Sequence, residues 1–254
     1  EELVKSMREV TTAQFGQPLY VRIAQRVLSG RLLNSIFQKM SRMLGFVLSF
    51  RIVNKVLKVL PGNLADKAGL LPKAPKKLFR KTVPSLITAS SPKLRVGYFT
   101  GCMTQMFLPE VGSAVIKVLQ NAGAEIVIPD KQTCCGVPSM VYGYTDKAKE
   151  QAAINMAAFN DAAIDYIVTD CASCGDYLKS YVDIFNGDKE AMTFSSKVQD
   201  IAYLLYHTLP IPQQNLKELK QKVTYHDPCH LKRGQGIWQE PRELLKQIPG
   251  LEFV

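Results

Sequence analysis

Five of the six cysteines fall in one spaced set: Cys102, then 31 residues, then Cys134-Cys135-Gly136, then 34 residues, then Cys171-Ala172-Ser173-Cys174. Two thiols two residues apart at a helix start point the same way, so Cys171 and Cys174 suit one metal or two neighbouring metals. The adjacent pair says more, because consecutive side chains diverge; Cys134 and Cys135 suit two metals of one cluster. Zinc needs only four ligands, so a fifth thiol tilts the reading toward an iron–sulfur cluster. Iron and helix N-termini would offset the charge that five thiolates concentrate. Two other readings of the same residues are inert buried cysteines and a redox-active dithiol at Cys171 and Cys174. Gly136 gives the backbone freedom to turn tightly beside whatever is bound.

Thiols this far apart in sequence need a fold that gathers them. From Leu94 the chain alternates strand and helix. The pattern predicts strands at Leu94–Phe99, Glu125–Pro129 and Tyr166–Thr169, and helices at Pro109–Ala122, Thr145–Ala163 and Cys171–Phe185. That alternation predicts an α/β fold with an open parallel sheet, right-handed crossovers, and therefore all strand exits on one edge. Cys102 follows the first strand, Cys134 and Cys135 the second, and Cys171 the third. Open α/β sheets place ligands at that edge.

The segment from Val223 repeats the one from Val96 at a constant offset of 127 residues. Val96, Tyr98 and Cys102 match Val223, Tyr225 and Cys229; Gln120, Gly123, Glu125 and Val127 match Gln247, Gly250, Glu252 and Val254. Cys229 thus opens a second site whose further ligands would lie past Val254. The expectation is a fragment, or a remainder supplied by another chain.

The full set from Cys102 to Cys174 resembles the cysteine-rich CCG domain, and Tyr225-His226-Asp227-Pro228-Cys229-His230 resembles the start of its second copy; the resemblance covers roughly residues 94–254. Similar domains occur in the iron–sulfur subunits of glycolate oxidase, of lactate-utilisation systems and of anaerobic glycerol-3-phosphate dehydrogenase, and in one of the subunits of heterodisulfide reductase. The resemblance implies three-layer packing in the domain and, as ligands, Cys102, Cys134, Cys135, Cys171 and Cys174, with Cys229 belonging to an incomplete second site. It implies an iron–sulfur cluster, of the noncubane 4Fe-4S kind in heterodisulfide reductase relatives, with structural zinc as the alternative. The function implied is electron transfer from a FAD-containing dehydrogenase subunit that oxidises a small 2-hydroxy acid, glycolate or lactate, to a quinone or other carrier. Thiol/disulfide catalysis at the cluster and a zinc-stabilised scaffold without redox chemistry are the alternatives. A ferredoxin-like region is expected upstream in the intact chain, since its cysteine runs are absent here.

Charge divides the chain. Residues 1–93 hold 17 basic and 4 acidic side chains, whereas residues 94–254 hold 15 and 18. The expected organisation is a basic helical arm at 1–60, a Pro/Lys-rich linker at 61–93, a first CCG domain at 94–210 and the start of a second at 211–254. In the arm, Pro18 suits a helix start, with Leu19, Ile23, Val27 and Leu28 at helical spacing, and a second helix is expected from Leu33 to Leu60. Arg42, Arg51, Lys55 and Lys58 interrupt any run near the roughly 20 apolar residues of a membrane span. The arm therefore lies on something: a neighbouring domain, or a membrane surface or partner. Nucleic acid is not expected as a partner. Six cysteines, five of them clustered, fit metal ligation in a reducing compartment, and no signal-peptide pattern opens the sequence; a cytoplasmic place, peripheral to the membrane if the arm meets lipid, is expected.

Other residues carry weaker signals. His226 and His230 flank Cys229 and read as helix caps or as the rim of the second site, with ligation as the alternative. Gly234-Gln235-Gly236 reads as a turn. Asp170 and Asp176 bracket the Cys-x-x-Cys and read as caps of the helix there. No carboxylate pair or Ser–His–Asp set for substrate chemistry is evident.

Overall fold

The computed structural model describes residues 2–16, 19, 22, 75, 77–89, 91–160 and 163–254. Apart from Leu19 and Arg22, the helices expected from Pro18 and over 33–60 lie outside the described residues.

The sheet strands are β1 (Leu86–Ile87), β2 (Leu94–Tyr98), β3 (Ala124–Val127), β4 (Tyr166–Thr169) and β5 (Val198–Asp200). Their order is β1-β3-β2-β4-β5. The pairs β2–β3, β2–β4 and β4–β5 are parallel, as the strand–helix alternation predicts; β1 adds an antiparallel edge on β3. The sheet is therefore mixed and mostly parallel. β1 comes from the stretch whose proline content reads as linker, and Phe79, in the same stretch, is fully buried. Short β-branched or apolar segments such as Leu86-Ile87 carry too little pattern to stand out between prolines.

The connecting helices are α2 (Cys102–Met106), α3 (Pro109–Ala122), α4 (Val137–Val141), α5 (Thr145–Asn160), α6 (Ala172–Lys179), α7 (Tyr181–Ile184), α8 (Lys189–Lys197) and α9 (Ile201–His207). Pro at the first turn of α3 and Gly123 in the left-handed region (φ 98°) at its end bound that helix where the sequence places it. The helix expected over Cys171–Phe185 is instead two, divided at Ser180, whose hydroxyl donates to Tyr177 O (2.9 Å) and competes with the ladder.

Period-two alternation separates two cores. Val96, Tyr98, Ile126 and Val168 enter one, with Leu119 of α3 and Leu204 of α9; Phe99 and Ile167 enter the other, with Phe159 of α5, Tyr181 and Phe194. Gly97 lets α5 approach β2, since a Cβ there would lie 2.8 Å from Phe159 and from Ile164.

Helix α1 (Glu2–Phe15) rests on the end of α4: Arg8 Nη1 donates to Val141 O (2.8 Å) and Thr12 Oγ1 to Tyr142 O (3.1 Å). Among the described residues no helix is long and apolar enough to cross a membrane.

The repeat is visible in the register. Strand β6 (Lys222–Val223) pairs in parallel with β7 (Glu252–Phe253), Lys222 opposite Glu252 and Val223 opposite Phe253; β2 and β3 pair Arg95 with Glu125 and Val96 with Ile126, each residue 127 positions earlier. The same rung carries an ion pair in both copies, Arg95–Glu125 at 3.1 Å and Lys222–Glu252 at 2.7 Å. Between β6 and β7 lie a π-turn (His230–Gly234) and helix α10 (Glu240–Lys246), half the length of α3.

Candidate metal centre

Each thiol leaves the carboxyl end of a strand. Cys102 opens α2 directly after β2, with Gly101 as its cap. Cys134 and Cys135 end the loop after β3, and Gly136 starts α4 in the left-handed region (φ 107°). A side chain at Gly136 would also meet Tyr177 at 2.9 Å, so both backbone angle and space require glycine there. Cys171 caps α6 after β4, and Cys174 sits one turn in.

The geometry brings the five expected residues together. Their sulfurs form a string of contacts in the order Cys102, Cys134, Cys135, Cys174, Cys171. Among the described residues, no group of three or more His, Cys, Asp and Glu is set to enclose a single metal ion. The two ends of the string, Cys102 and Cys171, also sense each other's charge, so the five thiols lie together at the carboxyl edge of the sheet.

Hydrogen bonds along the string decide which sulfurs carry charge. Donation from Cys134 and Cys174 pulls Cys135 down to about 5, against the burial that opposes it. Donation from Cys174 likewise pulls Cys171 down to about 6. Cys134 accepts from Cys102, which lowers it, but its own bond to Cys135 and its burial outweigh that and push it up to about 12. Cys102 and Cys174 act as donors, and these bonds together with burial hold their thiols well above the ordinary value. Backbone amides add fixed donors: Met103 to Cys102, Gly136 to Cys134, Val137 to Cys135, and Ser173 and Cys174 to Cys171. Amides at helix starts are unsatisfied within the helix and stabilise thiolates.

Groups behind the thiols fix the loops. Asn155 of α5, fully buried, accepts from Thr133 N (2.8 Å) and donates to Cys134 O (3.0 Å). Tyr181 donates its hydroxyl proton to Cys135 O (2.5 Å) while accepting from Asn155 Nδ2 (3.1 Å). Gln132, also fully buried, accepts from Thr100 N (3.0 Å), which joins the loop before Cys134 to the one before Cys102. Asp170 does not cap α6. Its carboxylate accepts from Tyr98 OH (3.1 Å) and Thr104 Oγ1 (2.7 Å), so it ties the third strand exit to the first. Asp176 is not a cap either; it bonds His230. Asn155, Tyr181 and Gln132 carry no sequence signal, because an amide or phenol far from the motif acquires its role only through packing.

Cys229 is exposed and takes no part in the string, and neighbouring His226 is exposed as well. Of Gly234-Gln235-Gly236, expected as a turn, Gly234 ends a π-helical turn, the chain bends at Gln235, and Gly236 lies at φ 72°.

The model of the cysteine-rich CCG domain matches residues 96–179 and again 223–254. The chain is 39% identical over 205 residues to a Bacillus subtilis protein named as a probable glycolate oxidase iron–sulfur subunit, covering 78% of this chain and 46% of that protein. It is 38% identical over 164 residues to a fumarate reductase (CoM/CoB) subunit of Methanothermobacter marburgensis, covering 65% of this chain and 31% of that one. It is 36% identical over 165 residues to lactate utilization protein A of Geobacillus kaustophilus, covering 63% of this chain and 68% of the relative. The chain thus spans less than half the length of the first two relatives.

Proposed function

Because the chain belongs to the family of cysteine-rich CCG-domain proteins, we propose that it is the electron-transfer part of an iron–sulfur subunit. Its donor is a FAD-containing dehydrogenase subunit that oxidises a small 2-hydroxy acid, glycolate or lactate, and its acceptor is a quinone or another carrier. The names of the glycolate oxidase and lactate utilization relatives support the substrate class and a multi-subunit oxidoreductase. Two cores on opposite sides of the sheet support a three-layer domain.

The observation that carries the reading is the contiguous string of five thiols. The donor set fits an iron–sulfur group: all soft sulfur ligands, and two thiols already biased toward thiolate. The first and third strand exits meet at Gly101, where a Cβ would be in ordinary contact with Cys171 Cβ (3.5 Å) and Cys174 Sγ (3.6 Å). Thr100 Oγ1 is buried beside this point without a hydrogen-bond partner among the described residues. Cys102, Cys134, Cys135, Cys171 and Cys174 are the proposed ligands, and five thiols, one more than a cubane cluster takes, suit a noncubane 4Fe-4S cluster. When bound, such a cluster supplies one-electron storage near the protein surface.

The chain's own residues hold, tune and screen that group. Amides of Met103, Gly136, Val137 and Ser173 stabilise sulfur charge, which favours the reduced state. Asn155 and Tyr181 keep the Cys134-Cys135 peptide in place and exclude water from behind it. Cys102 and Cys171 are only half-buried, so exchange with a partner occurs on their side. The basic residues of 1–93 offer an electrostatic contact for that partner or for a membrane surface beside it.

The fumarate reductase (CoM/CoB) protein among the relatives, together with the accessible Cys171, favours a second reading, thiol/disulfide chemistry at the cluster. Anaerobic reconstitution with iron and sulfide, followed by iron analysis and visible and electron paramagnetic resonance spectra, tests both. Electron transfer predicts a chromophore reduced through the flavoprotein and unmoved by thiols. Perturbation by an added thiol ligand selects the second reading. One equivalent of zinc without iron overturns both in favour of a structural scaffold.

A further inference from the structure

The first turn of the second copy is seated on the helix that carries Cys171 and Cys174. His230 Nδ1–H donates to Asp176 Oδ2 at 2.7 Å, two residues past Cys174. Gln235 Nε2 donates to the carbonyl of Ala172 at 3.0 Å, inside the Cys-x-x-Cys itself. Both ends of this contact are shaped for closeness. A Cβ on Gly234 would lie 2.5 Å from the Asp176 carboxylate, and one on Gly175 would lie 3.0 Å from the Gln235 amide. Gln235 Oε1 is buried and has no partner among the described residues, so the amide is kept there for its donor side, despite leaving an acceptor unmet. The turn also departs from its counterpart: α2 is α-helical after Cys102, whereas the chain after Cys229 is π-wound. Single π-turns inserted in regular structure mark functional places, and this one brings His230 and Gln235 to the same neighbour.

We propose that Gln235 and His230 of the second copy are positioning residues for the Cys171–Cys174 pair of the first. The inference rests on reading those thiols as cluster ligands. Gln235 fixes the peptide between the two cysteines, and His230 fixes the next turn of α6, so the spacing of two sulfurs depends on a segment that follows them by more than 50 residues. Partners behind the ligands orient the ligands and tune the metal.

The test uses the reconstituted chain with Gln235→Leu, His230→Ala and His230→Gln, and Lys246→Ala, far from the contact, as control. Gln235→Leu and His230→Ala are expected to shift the midpoint potential, alter the reduced-state paramagnetic spectrum and speed iron loss to a chelator about tenfold. His230→Gln, which still donates to Asp176, is expected to keep wild-type values. Loaded Gln235→Leu and His230→Ala proteins with wild-type potential and spectrum overturn the proposal. A second measurement needs no cluster. In the metal-free reduced chain, alkylation followed cysteine by cysteine should quicken at Cys171 in Gln235→Leu and stay unchanged at Cys102. Unchanged rates at both overturn the proposal even where no iron binds, whereas a wild-type chain that takes up no iron but shows the Cys171 effect sinks the electron-transfer reading alone.

Discussion

Tyr181 and Asn155 stand behind Cys134 and Cys135, and each contact has a measurable size. Tyr181→Phe removes the donor to Cys135 O and leaves a buried carbonyl unmet, which costs about 1–3 kcal/mol. Urea unfolding of the metal-free protein reads that loss. Cys135→Ser, which removes the central sulfur of the string, is expected to abolish cluster retention after desalting, as iron analysis would report. Asp200 gives a pH dependence. Burial raises its carboxyl to about 6, partly offset by its cap bond from Ala202 N (2.8 Å) and by Lys179. A carboxyl raised on folding binds its proton more tightly in the folded state, so its stabilising contribution is present below the unfolded value and is lost as pH rises through about 6. Asp200→Asn keeps an acceptor for the cap and removes the titration. The stability of wild type relative to Asp200→Asn should therefore fall between about pH 4 and pH 6 and then level. At this scale the thiols were legible because metal ligation imposes spacing on the sequence. Asn155, Tyr181, Gln132 and the true role of Asp170 were not, since a hydrogen bond across the fold leaves no mark on spacing.

Helix α5 shows how elements carry the site. Its Phe159 packs on Phe99 and Phe194, and Asn155, one turn earlier, reaches the thiol loop. Phe159→Ala is expected to cost about 3–5 kcal/mol and to loosen that loop with it, read as unfolding midpoint and as cluster lifetime. The sequence pattern placed α3 and β4 at their observed bounds, where proline, glycine and a clean apolar run punctuate them. It missed β1 and β5, of two and three residues, because so short a strand is defined by its neighbour's hydrogen bonds rather than by its own composition. It joined α6 and α7 because apolar spacing continues across Ser180 while the backbone does not.

Across the whole molecule, the two cysteine-rich copies are joined by contacts and not only by sequence. The second copy touches the first at α6 through His230 and Gln235, and at α9 through the His207–Glu240 pair at 3.1 Å. The offset of 127 residues was legible from a few identities, and the shared strand register bears it out. What the offset concealed is that the turns after Cys102 and Cys229 wind differently, which identities at strand positions do not report.

The rung repeated at Arg95–Glu125 and Lys222–Glu252 bears on ancestry. If one ancestral unit was doubled, the oppositely charged rung predates the doubling, and arginine in one descendant against lysine in the other is drift that kept the sign. Exchanging the two units at this rung should then yield a hybrid whose strands still find their partners, whereas reversing the charge of a single member should be mended by reversing its mate.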